Sequence, residues 1–175
     1  MVQIAVWNKN QICPVVIGSS LPLFNEHKFN FGGVDFTFDG NVIDSDKSDI
    51  TRLLEHAYMY LNSPYLWGGR SPFGIDCSGF TQIVFKLCGI VLQRDARLQA
   101  EHGTTINLIE ESKPGDLAFF DNAEGKISHV GIIIPGNQIM HASGRVRIDK
   151  IDHQGIYNEE LKGYSHNLRV IKRYF

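Results

Sequence analysis

Helical spacing of apolar residues occurs only between Ser48 and His102, and everything after Pro114 reads as short strands. A chain with its helices first and its strands after does not build alternating βαβ units. The order predicts an α+β domain, with N-terminal helices packed on an antiparallel sheet. Ile50, Leu53, Leu54, Ala57, Tyr58 and Leu61 fall on one helical face, with Ser48 as the cap and Asp49 in the first turn. Pro64 prevents this helix from passing Ser63. A second helix opens near Cys77, carried by Phe80, Ile83, Val84 and Leu87 and stopped by Gly89. Asp95 stands where it can cap a third, short helix over Ala96–His102. Strands are expected at Asp116–Phe120, Ser128–Ile134, Gln138–Ala142, Arg145–Ile151 and Leu168–Phe175.

Residues 1–45 are patterned differently. Short apolar runs are broken by Gly18-Ser19-Ser20 and Gly32-Gly33, and Val34–Gly40 alternates like a strand. This is a β segment, short for a whole domain. Ser45-Asp46-Lys47-Ser48 marks the junction to a second domain over residues 46–175.

Composition narrows the function classes. The chain has 175 residues, 43% of them hydrophobic, which is enough to bury a core without staples. A net charge of −2 and no basic stripe point to no nucleic-acid partner. No run of 18 apolar residues exists, so no membrane span is expected. The first sixteen residues lack the charged start and long apolar run of a secretory signal. That fits either a cytoplasmic chain or a fragment of a longer one. The cysteines are Cys13, Cys77 and Cys88, without a CxxC pair, so neither a disulfide framework nor a four-cysteine zinc site follows. Cys13 and Cys88 are read as packed thiols.

Cys77 is the residue with chemistry around it. It stands where a Gly/Pro-rich loop, Tyr65–Ile75, meets a helix start. The helix dipole and free N–H groups there favour a thiolate and can hold an oxyanion. Polar Asp76 and Ser78 and the nearby Gly74 and Gly79 argue against an ordinary core cysteine. A thiolate nucleophile needs a base. His129 and His141 sit on two strands flanking Pro135-Gly136-Asn137. If that tripeptide is a three-residue hairpin loop, His141 faces Gly131, and both histidines share one face of the sheet. A two-residue loop would separate them. His129 is then the proton shuttle and His141 its orienting partner. The rival use of one cysteine and two histidines is zinc. Zinc ligands usually come in closely spaced pairs, and these three are separated by 52 and 12 residues, so no metal or other cofactor is assigned. His27, His56, His102, His153 and His166 have no evident partner and are read as surface residues.

The motifs resemble one family. Pro64-Tyr65-Leu66-Trp67-Gly68-Gly69, Gly74-Ile75-Asp76-Cys77-Ser78-Gly79-Phe80, Pro114-Gly115-Asp116-Leu117, Ser128-His129-Val130-Gly131-Ile132 and Met140-His141-Ala142 are similar, in order and spacing, to the signature of the NlpC-type cell-wall cysteine peptidases. The resemblance covers about residues 46–175 and implies a papain-like fold with a Cys77, His129 and His141 catalytic set. It also implies an oxyanion role for Tyr65 and a place for Trp67 in the cleft floor. Asp76, Ser78, Arg94 and Asp95 match positions lining a pocket for the free amino end of a murein stem peptide. The implied substrate is the γ-D-glutamyl–L-diamino acid bond, with the diamino acid and the oligomeric state left open. Ala96 stands where relatives often carry serine. Residues 1–45 resemble the tail of a bacterial SH3-like module, which in relatives helps wall off the cleft.

Two other readings share the fold. One is a cell-wall peptide-binding module without catalysis, the other an amidase or acyl hydrolase. Retention of Cys77, His129 and His141 speaks against the first, and the Arg94-Asp95 segment against the second.

Overall fold

A computed structural model describes residues 2–7, 11–44 and 47–175. The chain divides into two compact units, Met1–Asp44 and Ser45–Phe175. The first two residues of the expected junction, Ser45 and Asp46, lie outside the described residues.

The first unit is more than a stray β segment. Strands β1 (Val2–Trp7), β2 (Gln11–Val16), β3 (Lys28–Phe31) and β4 (Val34–Phe38) form an antiparallel sheet in the order β2-β1-β4-β3. Gly32 and Gly33 both take positive φ, which suits the two-residue β3–β4 hairpin. Ala5, Phe29 and Phe38 make a small core of its own, with Phe29 stacked on Phe36 at 5.0 Å. Cys13 is exposed on β2 rather than packed.

The second unit begins with a 3-10 turn, Ile50–Arg52, running into α1 (Leu53–Tyr58). The cap is Asp49, whose carboxylate accepts the Thr51 N–H at 3.1 Å, and not Ser48. The helix is shorter than the apolar spacing suggested. Tyr60 and Leu61 already donate to carbonyls three residues back, and Asn62 takes a positive φ that ends it. Its buried face is Leu53, His56, Ala57 and Tyr60, while Tyr58 and Leu61 face water. His56 is therefore not a surface residue. It lies 3.6 Å from the Cys88 sulfur, in the core.

A two-stranded ribbon, β5 (Arg70–Ser71) and β6 (Gly74–Ile75), leads into α2 (Cys77–Lys86), and α3 (Ala96–Ala100) follows. Asp95 makes no side-chain cap on α3, contrary to expectation. The remaining strands are β7 (Thr104–Ile106), β8 (Leu117–Asp121), β9 (Ile127–Ile134), β10 (Gln138–Ser143), β11 (Arg145–Ile151), β12 (Gly155–Asn158) and β13 (Gly163–Arg173). They form an antiparallel sheet in the order β12-β11-β10-β9-β8-β13-β7. Irregularities in the β8–β9, β8–β13 and β12–β13 pairings let it curl until β12 also meets β13. Ala118, Phe120, Ile133, Ile139, Ile151, Ile156 and Ile171 cluster on one of its faces. α2 packs against β9 and β10, and this contact brings the helix start to the histidine strands. Helices before strands, on one antiparallel sheet, is the layered α+β arrangement the periodicity predicted.

Two strands were illegible in the sequence. β7 and β12 are too short to show alternation, and β13 starts five residues before the expected Leu168. Its opening, Gly163-Tyr164-Ser165-His166-Asn167, is polar and carries no apolar alternation, yet it pairs with β12.

Candidate active site

The site is built on the start of α2. Asp76 caps that helix, accepting the Gly79 N–H at 2.6 Å through Oδ1. Its other oxygen, Oδ2, accepts the Gly68 N–H at 2.8 Å, which fixes the preceding loop. Arg94 reaches across from the segment before α3 and grips the same carboxylate with both arms. Nη1 is 3.0 Å from Oδ1 and Nη2 is 2.6 Å from Oδ2. Nη1 also donates to Ser78 Oγ at 3.0 Å. Burial alone would raise the Asp76 carboxyl, but the bonds from Arg94, Gly79 and Gly68 prevail and hold it below the usual range. The three expected pocket residues Asp76, Ser78 and Arg94 thus form one network. The Asp76 oxygens are taken up in holding the loop to the helix. Asp95, beside them, is exposed, and among the described residues its carboxylate has no hydrogen-bond partner.

Cys77 is the first residue of α2 and is 7% exposed. Its thiol is pushed up, not down as the helix start alone would dictate. Burial is the main cause and the Asp76 charge adds to it. N–H groups of Val130, Ser78 and Cys77 itself offset only part. The Val130 contact places the sulfur next to His129 along β9.

The hairpin has the register that a three-residue loop requires. Ile134 pairs with Gln138, and Gly131 with His141. His129 and His141 therefore share a face, and His129 Nε2 lies 2.8 Å from His141 Nδ1. Gly131 makes this approach feasible, because a Cβ there would lie 2.9 Å from that of His141. His141 Nε2 in turn lies 2.9 Å from Asp149 Oδ2. Arg147 donates Nη2 to Asp149 Oδ1 at 2.9 Å. Its Nε is 2.7 Å from Oδ2 but poorly aligned for a bond.

His166 is the residue the sequence concealed most. Its ring stacks on His129 with centroids 4.1 Å apart and a 24° tilt, and it meets His141 edge-on. It is half-buried, not a surface histidine. Burial, then the neighbouring His141, brings it down to about 4. His129 is lowered well below its usual value by burial, with His141 and His166 adding to that. Cys77 and His129 therefore rest as a neutral thiol and a neutral imidazole near pH 7.

One expected outcome follows for stability. Between pH 6.5 and about 4, the unfolded chain takes up protons at His166 that the folded chain refuses. Stability should fall as pH falls through that window, and His129 acts in the same direction. His166→Phe keeps a stacking ring but has no proton site. Urea titrations across the window should show a shallower decline for the variant, and equal slopes would disprove the assignment.

The three imidazoles offer one nitrogen each within 4.8 Å of one another, which raises the question of a metal. Both His141 nitrogens are already engaged, one with His129 and one with Asp149. That leaves two rings with a free nitrogen, and the two are stacked face to face. The cluster is shaped as a hydrogen-bond relay.

Tyr65 is half-buried and pinned by its N–H to Gly144 O at 3.0 Å. Burial raises its phenol, and the charges of Cys77 and Asp76 raise it further, so the hydroxyl lies in the field of the nucleophile. Trp67 is neither cleft floor nor core, being 84% exposed. The Leu66–Gly69 turn, with Gly68 at φ 79°, is tied inward through the Gly68 N–H, which turns the Trp67 ring out to water.

Comparison with known proteins gives the family. Residues 62–164 match the NlpC/P60 family. A gamma-D-glutamyl-L-lysine dipeptidyl-peptidase of Bacillus subtilis is 40% identical over 106 residues, covering 59% of this chain and 36% of that protein. A probable endopeptidase p60 of Listeria grayi is 37% identical over 127 residues, covering 72% and 24%. The chain thus spans well under half the length of these relatives. The crystal structure of an NlpC/P60 family protein from Bacillus cereus superposes with a TM-score of 0.80 at 25% identity, over 99% of this chain and 60% of that one. With the matched segment running from Asn62 through the helix start, the histidine hairpin and on to β13, the chain belongs to the NlpC/P60 family.

Proposed function

We propose that this protein is a cysteine endopeptidase acting on murein stem peptides at the γ-D-glutamyl–L-diamino acid bond. The observation that carries the reading is a buried helix-start thiol held against the Val130 N–H, the neighbour in the chain of His129, whose ring makes a 2.8 Å hydrogen bond with His141. The names of the two sequence relatives support the choice of substrate class.

In this reading His129 takes the Cys77 proton as sulfur attacks the glutamyl carbonyl carbon, and a C–S bond forms. The helix-start N–H groups and the Tyr65 hydroxyl receive the developing oxyanion. His129 passes its proton to the leaving amine as the C–N bond breaks, which leaves a thioester. Water, deprotonated by His129, then adds to the thioester carbonyl. The C–S bond breaks and the thiol regains its proton. Since thiol and imidazole both rest neutral, the proton moves as the substrate is attacked rather than beforehand. Asp95, with its oxygens free, is the carboxylate suited to the substrate's ammonium end, while Arg94 and Ser78 shape the pocket wall through Asp76. The papain-like description of the catalytic unit and an SH3-like ancestry for the N-terminal sheet belong to the same proposal. They are supported by the likeness to the Bacillus cereus structure along nearly the whole chain.

The test is incubation with L-Ala-γ-D-Glu-diaminopimelate, free and N-acetylated, with products resolved by mass spectrometry. Release of the diamino acid from the free peptide, with the acetylated one cut at least tenfold more slowly, is expected. Cleavage of neither would overturn the reading in favour of a binding module. Equal cleavage would remove the ammonium pocket from it.

A further inference from the structure

Two groups near the histidine pair have no part in the proposed steps. Asp149 and Arg147 come from β11, which pairs with β10 so that Arg147 faces His141 and Asp149 faces Ile139. Alternation puts both side chains on the histidine face. Asp149 is buried at 7% exposure. A buried carboxylate is costly unless its partners are well placed. Here His141 and Arg147 supply them, and Glu160 steadies Arg147 from outside at 3.3 Å. Burial would raise the Asp149 carboxyl, but the bonds from His141 and Arg147 hold it below the usual range, so it is ionised.

An ionised carboxylate only accepts hydrogen bonds. The nitrogen facing it, His141 Nε2, must therefore carry the hydrogen. When His141 is neutral, its Nδ1 then has a bare lone pair. The only way to make the 2.8 Å contact with His129 a hydrogen bond is for His129 Nε2 to donate. A neutral His129 then has its own lone pair on Nδ1, the ring nitrogen not turned to His141. Each ring dictates the tautomer of the next, and the sequence of choices starts at Asp149.

We propose that Asp149, clamped by Arg147, is a positioning residue that sets the proton polarity of the His141–His129 pair and so leaves His129 Nδ1 free to accept the Cys77 proton. The assignment rests on the peptidase reading of the site and extends it by one residue. Without the carboxylate, His141 can donate from Nδ1 instead. That would invert the contact and place the hydrogen on the wrong nitrogen of His129. Through the His141 ring that links them, the carboxylate also favours the imidazolium that forms when His129 takes the proton. Besides Asp149, the charged and titratable groups around the pair are Arg147 with Glu160 behind it, His166 stacked on His129, and Cys77 at the Val130 N–H, and none of these accepts a bond from His141 among the described residues.

Ring-nitrogen NMR on histidine-labelled protein reads the tautomers directly. Hydrogen on Nε2 of both His129 and His141 at neutral pH is expected. Hydrogen on Nδ1 of either would overturn the proposal, whatever the enzyme's activity. Kinetics add a second measurement. Asp149→Asn is expected to lower kcat by about 10- to 100-fold with KM little changed, less than the loss for a base itself. The acid limb of its kcat/KM profile should move to lower pH, because the imidazolium has lost its carboxylate. Asp149→Glu should recover part of kcat. A merely structural residue would shift the unfolding curve and leave both the tautomers and the limb in place, and that result would refute the assignment. Should Cys77→Ala remain active, the peptidase reading fails instead, and the NMR result still stands or falls on its own.

Discussion

Cys77→Ala is expected to lose hydrolysis of the γ-D-glutamyl bond by about 10⁴-fold or more, because covalent catalysis has no substitute nucleophile in reach. Asp76 and Ser78 are committed to Arg94, and the Tyr65 hydroxyl, which lies in the field of Cys77, is held protonated. The fold should survive. The thiol fills little volume at a site 7% exposed, so its removal should cost about 1 kcal/mol or less. The measurement pairs turnover of the free tripeptide with thermal unfolding of both proteins. An acyl-enzyme trapped by mass spectrometry in wild type and absent in the variant would complete the case. A folded Ala variant with full turnover would end the nucleophile assignment.

The second large effect concerns stability and lies away from the site. Asp116→Ala is expected to destabilise the second unit by about 3–5 kcal/mol, the usual loss when one partner of a buried ion pair is removed. Asp116 is fully buried just before β8. Oδ1 accepts Arg173 Nε at 2.8 Å, while Oδ2 accepts Arg173 Nη2 at 2.7 Å and the Lys113 N–H at 2.7 Å. One carboxylate thus ties the end of β13 to the turn that starts β8. Alanine would strand a guanidinium only 19% exposed and leave a backbone donor unpaired. In thermal melts the loss should amount to roughly 10 °C for a chain of this size. Asp116→Leu with Arg173→Met together should recover part of it, since the pair's worth lies mostly in not being half-broken. A shift below about 1 kcal/mol for Asp116→Ala would contradict the account.

Both residues show how far the sequence carried. Asp116 was legible only as part of a turn, Pro114-Gly115-Asp116-Leu117. Nothing local announces that Arg173, 57 positions later, closes on it. Trp67 was misjudged for the opposite reason. An aromatic in a Gly-rich loop is normally packed, but a turn anchored through the Gly68 N–H to Asp76 turns its neighbour outward. His166 was missed because its strand begins in polar residues, and only pairing with β12 makes them a strand.

What the sequence determined by itself is local or set by counting. Asp76 with the Gly-rich loop starts a helix at Cys77, since a cap and an opened backbone are properties of a few neighbouring residues. Three loop residues between β9 and β10 put His129 and His141 on one face, because side chains on a strand alternate with period two. Tertiary structure alone decided the charge state of the site and its further partners. The helix start would favour a thiolate, but burial of Cys77 beside Asp76 keeps the thiol, and burial under His166 keeps His129 neutral. Desolvation depends on everything that surrounds a group. The carboxylate that orients the relay and the ring that covers it come from β11 and β13, which only the curled sheet brings to the hairpin.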